Sequence, residues 1–351
     1  MNRNHLKLRA ADWVEVRSLE EIGRTLDPDG TLDGLPFMPE MIGLCGKTFR
    51  VRRRASKVCV EYPGAVYKMR EFHNNDVVIL DTDRCSGADH GDCQRACLMF
   101  WKTAWLKRVS AGRPMDMVAR IQPAAHSIPL KTTSASRKYF CQSTALDQAT
   151  RALTRQRVVV KCFEDVSSGS RGPLEMVRMV GATLRHYLFR PFRAPLRVGT
   201  LKRTPVAHLN LQPGELVQIK SEDEIVETLD ANYRNRGLTC DRGMRTLCGG
   251  KFRVRHRLER MISEATGEMR PVEATVTLEG LQCMCETFHL GGCPREDLAY
   301  WREIWLERVA DPVEVNSAAP SGFEAQLIEA MEEPASRPSA APGPVEVPAH
   351  R

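Results

Sequence analysis

The chain repeats itself, and that repetition limits what it can fold into more than any other feature. Residues 12–109 and 215–309 follow one ordered pattern. Each copy opens on an alternating apolar strand, Trp13-Val14-Glu15-Val16-Arg17-Ser18 in the first and Leu216-Val217-Gln218-Ile219-Lys220-Ser221 in the second, followed by an acidic stretch ending in Thr-Leu-Asp. Next come Cys45-Gly46-Lys47-Thr48-Phe49-Arg50-Val51 and Cys248-Gly249-Gly250-Lys251-Phe252-Arg253-Val254, then a Cys and His cluster. Each copy ends on an aromatic segment, Phe100 to Val109 and Tyr300 to Val309, with tryptophans at 101 and 105 or at 301 and 305.

With 351 residues the chain has room for two or three cores. The boundaries predicted are a first Cys-rich repeat over 10–110, a linker over 111–137, a helical middle segment with a basic end over 138–205, a second repeat over 206–310 and a Pro/Ala-rich tail over 311–351. The tail is too poor in apolar residues to order itself, with a short helix from Phe323 to Met331 as the exception. In the middle segment, Thr144 to Arg155 and Leu174 to Arg190 have helical spacing, and Leu174, Met176, Val177, Val180, Leu184 and Leu188 fall on one face. The β-branched run Val158-Val159-Val160 predicts a short strand over 158–163.

Within a copy, alternation predicts strands at 13–17, 48–53, 66–71 and 76–81, matched by 216–220, 252–257, 269–270 and 273–279. One helix is expected near 20–26 and another, carrying the tryptophans, over 94–108. The Pro213-Gly214 turn before an alternating strand suggests a small barrel. The fold class is therefore expected to be α+β: two small, mostly antiparallel SH3-like barrel repeats, each closed by a Trp-containing helix, with a helical middle segment.

A 42% apolar and 27% charged composition is that of an ordinary globular chain. No run reaches the length of a membrane-spanning helix, and Met1 to Arg9 lacks the apolar centre of a secretory signal, so the expected compartment is the cytoplasm. There the twelve cysteines would be reduced thiols, and metal ligation becomes the leading explanation for clustered ones. Aligning the copies pairs Cys45 with Cys248, Cys85 with Cys283, His90 with His289, and Cys93 with Cys293. Three thiolates and an imidazole would make a structural zinc site in each copy. Cys59 and Cys97 are extra ligand candidates in the first copy, Cys240 and Cys285 in the second, and four thiolates would also suit an iron–sulfur cluster. The competing reading is buried thiols without metal. Cys141 and Cys162, which have no counterpart, read as core residues.

A net charge of +7 permits an acidic partner without requiring one. Arg50 and Arg52, or Arg253 and Arg255, share the outer face of a strand and could track phosphates, as could Arg190 and Arg193 in the basic segment 185–203. A charged strand protected from aggregation is the alternative. The paired tryptophans read as packing. Asp27 to Gly34 starts like a calcium loop but lacks its closing acidic ligand, and reads as a turn. Dinucleotide fingerprints, phosphate-binding loops, paired-His zinc protease motifs and Gly-x-Ser-x-Gly elbows are all missing.

The paired Cys-Gly-x-x-Phe-Arg-Val and Trp-x-x-x-Trp-Leu-x-Arg-Val elements, with Leu35-Pro36-Phe37-Met38-Pro39-Glu40-Met41, resemble a family of bacterial two-copy Cys-rich proteins. The resemblance spans both repeats and implies no activity. The second copy departs from it by carrying Thr239-Cys240-Asp241-Arg242-Gly243 in place of the Phe-Met-Pro-Glu stretch. Two functions follow as expectations: a non-catalytic, metal-stabilised binding or scaffold protein for a protein or nucleic-acid partner, or a metal-dependent or iron–sulfur redox accessory built on the Cys-rich first repeat.

Overall fold

The structure is a computed structural model that describes residues 6–64, 66–110, 128, 130–189, 196–283 and 293–310. Contacts divide the chain into Met1–Val309 and Ala310–Arg351, and the elements below all belong to the first unit. Most of the expected linker, the tail with its 323–331 helix, Arg190, Arg193, Cys285 and His289 lie outside the described residues.

The first lobe runs β1 (Trp13–Val16), α1 (Leu19–Gly23), β2 (Thr31–Leu32), β3 (Leu35–Pro36), β4 (Thr48–Arg54), β5 (Val58–Tyr62), β6 (Val66–Phe72), β7 (Val77–Leu80), β8 (Phe100–Lys102) and β9 (Leu106–Val109). The middle contributes α2 (Leu146–Ala149), β10 (Thr150–Ala152), α3 (Arg155–Ser167) and α4 (Pro173–Phe189). The second lobe runs β11 (Leu216–Ile219), α5 (Glu222–Val226), β12 (Arg234–Asn235), β13 (Leu238–Thr239), α6 (Arg242–Arg245), β14 (Lys251–Ile262), β15 (Met269–Gln282), β16 (Leu298–Arg302) and β17 (Leu306–Arg308).

Each lobe is built on a five-stranded antiparallel sheet, ordered β8-β7-β4-β1-β9 in the first and β16-β15-β14-β11-β17 in the second. Register matches as well as order. Trp13 faces Arg50 as Leu216 faces Arg253, Val78 faces Trp101 as Val276 faces Trp301, and a bulge at Val51/Arg53 recurs at Val254/His256. The fold is thus mixed α+β with mostly antiparallel sheets. Among the described residues β8 and β9, or β16 and β17, form the two edges, and no pairing closes a barrel.

Local chemistry explains the shared frame. Ser18 with Glu21, and Ser221 with Glu224, form capping boxes that start the short helices. Asp27 Oδ1 accepts the backbone N–H of Asp29 and Thr31, and Asp230 Oδ1 those of Asn232 and Arg234, so the acidic stretch folds as a side-chain-held turn.

Three expected elements differ. The tryptophan segment is not a helix: Trp101 lies on β8, and Trp105 lies on a 3-10 turn over Thr103–Trp105 before β9. Strand pairing with β7 and β1 overrides the helical spacing, and the turn brings both indoles into the core anyway. Residues 158–163 are helical, within α3, although their β-branched run favours a strand. The face of α3 that turns inward is polar: Lys161 reaches Glu71 at 3.3 Å and Asp165 reaches Lys57 at 2.6 Å. Finally, the helix expected over 144–155 is only the single turn α2, after which β10 joins β6 and β5 in a separate three-stranded sheet.

The tryptophans anchor both cores. Trp101, Trp105, Trp301 and Trp305 have no exposed surface. Trp105 Nε1 donates to Thr25 Oγ1 at 3.1 Å, and Trp305 Nε1 to Thr228 Oγ1 at 2.9 Å. Phe37 packs edge-on against Trp105 at 5.3 Å in the first lobe; buried Cys240 takes that place in the second.

Candidate functional site

The two lobes exchange equivalent residues across a junction. Counting on from the matched Arg50 and Arg253 puts Ile262 at the place of Cys59, and Glu264 at that of Glu61. The Cys59 N–H donates to Cys293 Sγ at 3.4 Å, while the Ile262 N–H donates to Cys93 Sγ at 3.3 Å. Each lobe therefore plants its matched cysteine on the other's strand, and Cys293 packs within the first lobe's core. Two residues further on, matched Arg95 and Arg295 are buried around Glu264, which accepts from Arg95 at 3.1 Å and from Arg295 at 2.7 and 3.0 Å. Burial alone would raise the Glu264 pKa, but the two guanidiniums outweigh it and hold the carboxyl below its usual range.

Beside this junction, on the first lobe, lies a cavity of about 40 Å³ lined by Cys85, His90, Cys93, Cys97 and Cys141, with Arg95 and Arg295 at its wall. By the same measure one water needs ~10–15 Å³, so the space admits several atoms. Gly87 makes the loop possible. Its φ is +68°, its carbonyl accepts the N–H of His90 and Cys93, and an added Cβ would meet the Cys93 carbonyl oxygen at 2.1 Å. Two sulfurs accept a backbone N–H, Cys85 from Gly87 and Cys93 from Ile262, and a hydroxyl lies near each of the others, Ser143 Oγ 3.5 Å from Cys97 and Thr144 Oγ1 3.8 Å from Cys141. Burial pushes the Cys85 and Cys97 thiols up, and the Cys141 thiol up to about 11, so all three are protonated near neutral pH unless something binds them.

His90 is committed elsewhere. Nδ1 lies 2.7 Å from Glu40 Oε1 and Nε2 lies 3.1 Å from the Phe140 carbonyl oxygen, and both partners are acceptors. Burial would depress its pKa, but the Glu40 carboxylate and the carbonyl outweigh it and raise it, so the ring is suited to a cation. A metal-binding imidazole must leave one nitrogen free, which this geometry does not.

The four-residue sets drawn from the aligned copies are therefore not assembled. Cys45 sits partly buried against the first core, away from the cavity lining, its thiol pushed up to about 11 by burial. Cys59 faces Met69 Sδ at 3.1 Å. In the second lobe Cys248 lies near Cys240, whose pKa burial raises to about 12, and Cys283 is exposed. Among the described residues no three His, Cys, Asp or Glu side chains converge on a single-ion position. Cys141, which reads as a core residue in the sequence, is the unforeseen member of the thiol group. Its only sequence signal was a position without a counterpart in the repeat.

The basic strands are largely spent on internal contacts. Arg52 pairs with Glu296 at 2.5 Å and Asp81 at 3.6 Å, Arg53 also pairs with Glu296, and Arg253 donates to the Gly214 carbonyl at 2.8 Å. Arg50 and Arg255 are exposed. Opposite charge on the same ridge weakens a phosphate track.

A second surface feature lies on the middle segment. The apolar face of α4 points outward: Leu174, Val177, Leu184 and Leu188 are 57% to 69% exposed, as are Val159, Val160 and Phe163 of α3 at 47% to 73%. With Gly181 between them, the α4 positions follow a heptad a/d seam. No helix among the described residues is long and apolar enough to cross a membrane.

Compared with family models, curated proteins and solved structures, the chain matches none. Fold and site together define a mixed α+β protein of two interlocked antiparallel lobes with a thiol-lined junction.

Proposed function

We propose that this chain is a non-catalytic binding or scaffold protein, with two SH3-like lobes as a rigid base and the α3–α4 hairpin presented to a protein partner that carries an acidic amphipathic helix. The observation that carries this reading is the inverted burial of the hairpin. Lys161 and Asp165 of α3 are inside while Val159, Val160 and Phe163 are outside, and α4 exposes its whole heptad stripe. A stripe only two positions per heptad wide suits a helix partner rather than a lipid surface, which favours a broader apolar face. Arg178 and Arg185, both exposed, follow directly after Val177 and Leu184 at the flanking e positions, and they select acidic neighbours. The SH3-like reading of the lobes is supported by their strand order and by the single 3-10 turn that returns the last strand beside the first.

The test is a fluorescence titration with a labelled heptad peptide bearing Leu at a and d and Glu at e and g. Saturable binding that weakens more than tenfold in Leu184→Glu and Val177→Glu, with an unchanged urea transition, supports the reading. Binding that ignores both substitutions sinks it, as does preference for anionic vesicles, for polynucleotide or for a second copy of the chain.

A further inference from the structure

We infer that Cys85, Cys93, Cys97 and Cys141 hold a polynuclear iron–sulfur cluster in the cavity beside the lobe junction. The donor set is all sulfur once His90 is set aside, and soft thiolates select zinc or iron–sulfur centres over hard cations. Geometry then separates those two. A tetrahedral zinc ion with bonds near 2.3 Å draws its sulfurs to within about 3.8 Å of one another. Here the four cysteines line one cavity of about 40 Å³, and among the described residues no three His, Cys, Asp or Glu side chains converge on a single-ion position. An inorganic core of iron and sulfide fills a space and keeps its cysteines further apart.

The surroundings fit an anionic cluster. Hydrogen bonds to cysteine sulfur are one of the levers by which proteins stabilise such centres; Cys85 and Cys93 accept backbone N–H groups, and a hydroxyl lies near Cys97 and near Cys141. Arg95 and Arg295 at the cavity wall favour the Cys97 thiolate, although Glu264 and Asp297, which pair with both, offset part of that charge. The ligands come from three stretches of chain, the 85 loop, the 93–97 loop and the start of the middle segment, so loading the site also fastens the middle segment to the first lobe. Among the described residues the second lobe lacks one of these thiols, because Asp297 stands where Cys97 does: the Cys85 N–H bonds to the Cys97 carbonyl at 2.9 Å, and the Cys283 N–H to the Asp297 carbonyl at 2.7 Å. This centre is separate from the α3–α4 face, and either can fail without the other.

The experiment uses the full chain, purified without oxygen and reconstituted with ferric iron, sulfide and a thiol reductant. The expected result is a visible charge-transfer band with iron and acid-labile sulfide in equal amounts, more than one of each per chain. Cys97→Asp, which copies the second lobe, and Cys141→Ser should lose the band, while Cys45→Ser and Cys248→Ser keep it. Tryptophan fluorescence reports whether each variant is folded, and Cys141→Ala replaces Cys141→Ser if the latter is not. Iron without sulfide, a single zinc per chain, or no metal after reconstitution overturns the inference, as does a band that survives in Cys97→Asp.

Discussion

The two lobes share a frame and differ in what they hang on it. Strand order, register, bulge, capping box, acidic turn and buried tryptophans coincide. Yet Cys97 becomes Asp297, Phe37 becomes Cys240, and the long hairpin β14–β15 stays continuous where the first lobe breaks into β4, β5, β6 and β7. That break is where the middle segment docks: Lys57, buried at the bend, meets Asp165, and Ser170 Oγ accepts the Arg54 N–H at 2.9 Å. A repeated frame can therefore be kept by the residues that make the sheet while the loops at one end acquire separate chemistry.

The strongest challenge to this comparison is to remove matched tryptophans. Trp105→Ala and Trp305→Ala should each cost ~3–5 kcal/mol by urea denaturation, because both leave a large cavity in a closed core. The two lobes should still unfold in one transition, since each is pinned into the other at Cys93 and Cys293. Two separate transitions would show that the lobes are independent.

Next in size is Glu264→Gln, which leaves the buried Arg95 and Arg295 only Asp297, at 3.7 and 3.1 Å, as a shared carboxylate and should cost about 3–5 kcal/mol. The folded-state pKa of Glu264 lies below its ordinary 4.5, so its contribution is fully present above that pH and is lost as pH falls through the lower folded value. Wild type should lose stability on acidification below about 4.5, and the variant should lose less over the same window. Equal acid sensitivity would remove Glu264 from the junction's stability.

The smallest effect separates the lobes by sign. His90 of the first lobe has its pKa raised above 6.5, so its stabilisation is present below that pH and fades as pH rises through the folded value. His256 of the second lobe has its pKa lowered, chiefly by burial, so its contribution is present above 6.5 and fades as pH falls. His90→Gln should flatten the alkaline side of the stability profile and His256→Gln the acid side. Ring titrations by NMR that move in the same direction would contradict the contrast.

Much of the frame was legible. Alternation located β1, β4, β6, β7 and β11 to within a residue or two, but it stopped β14 five residues short and split β15 in two. Helical spacing misled at Trp101 and Trp105, where a strand and a 3-10 turn put both indoles on one side, and composition misled in α3, where the buried face is charged. The site was half legible: Cys85, Cys93 and Cys97 stood out by position, Cys141 and the commitment of His90 to Glu40 did not.

The sequence alone pointed to the duplication, to the alternating strands and to the side chains with ligand chemistry, because period, turn chemistry and side-chain type are local properties. Tertiary structure decided which thiols meet, which arginines are already neutralised by Glu296, and which helical face is left outside. Those depend on contacts between residues up to 244 positions apart, as between Arg52 and Glu296. No local pattern encodes such distances; they follow from how two sheets and one middle segment pack.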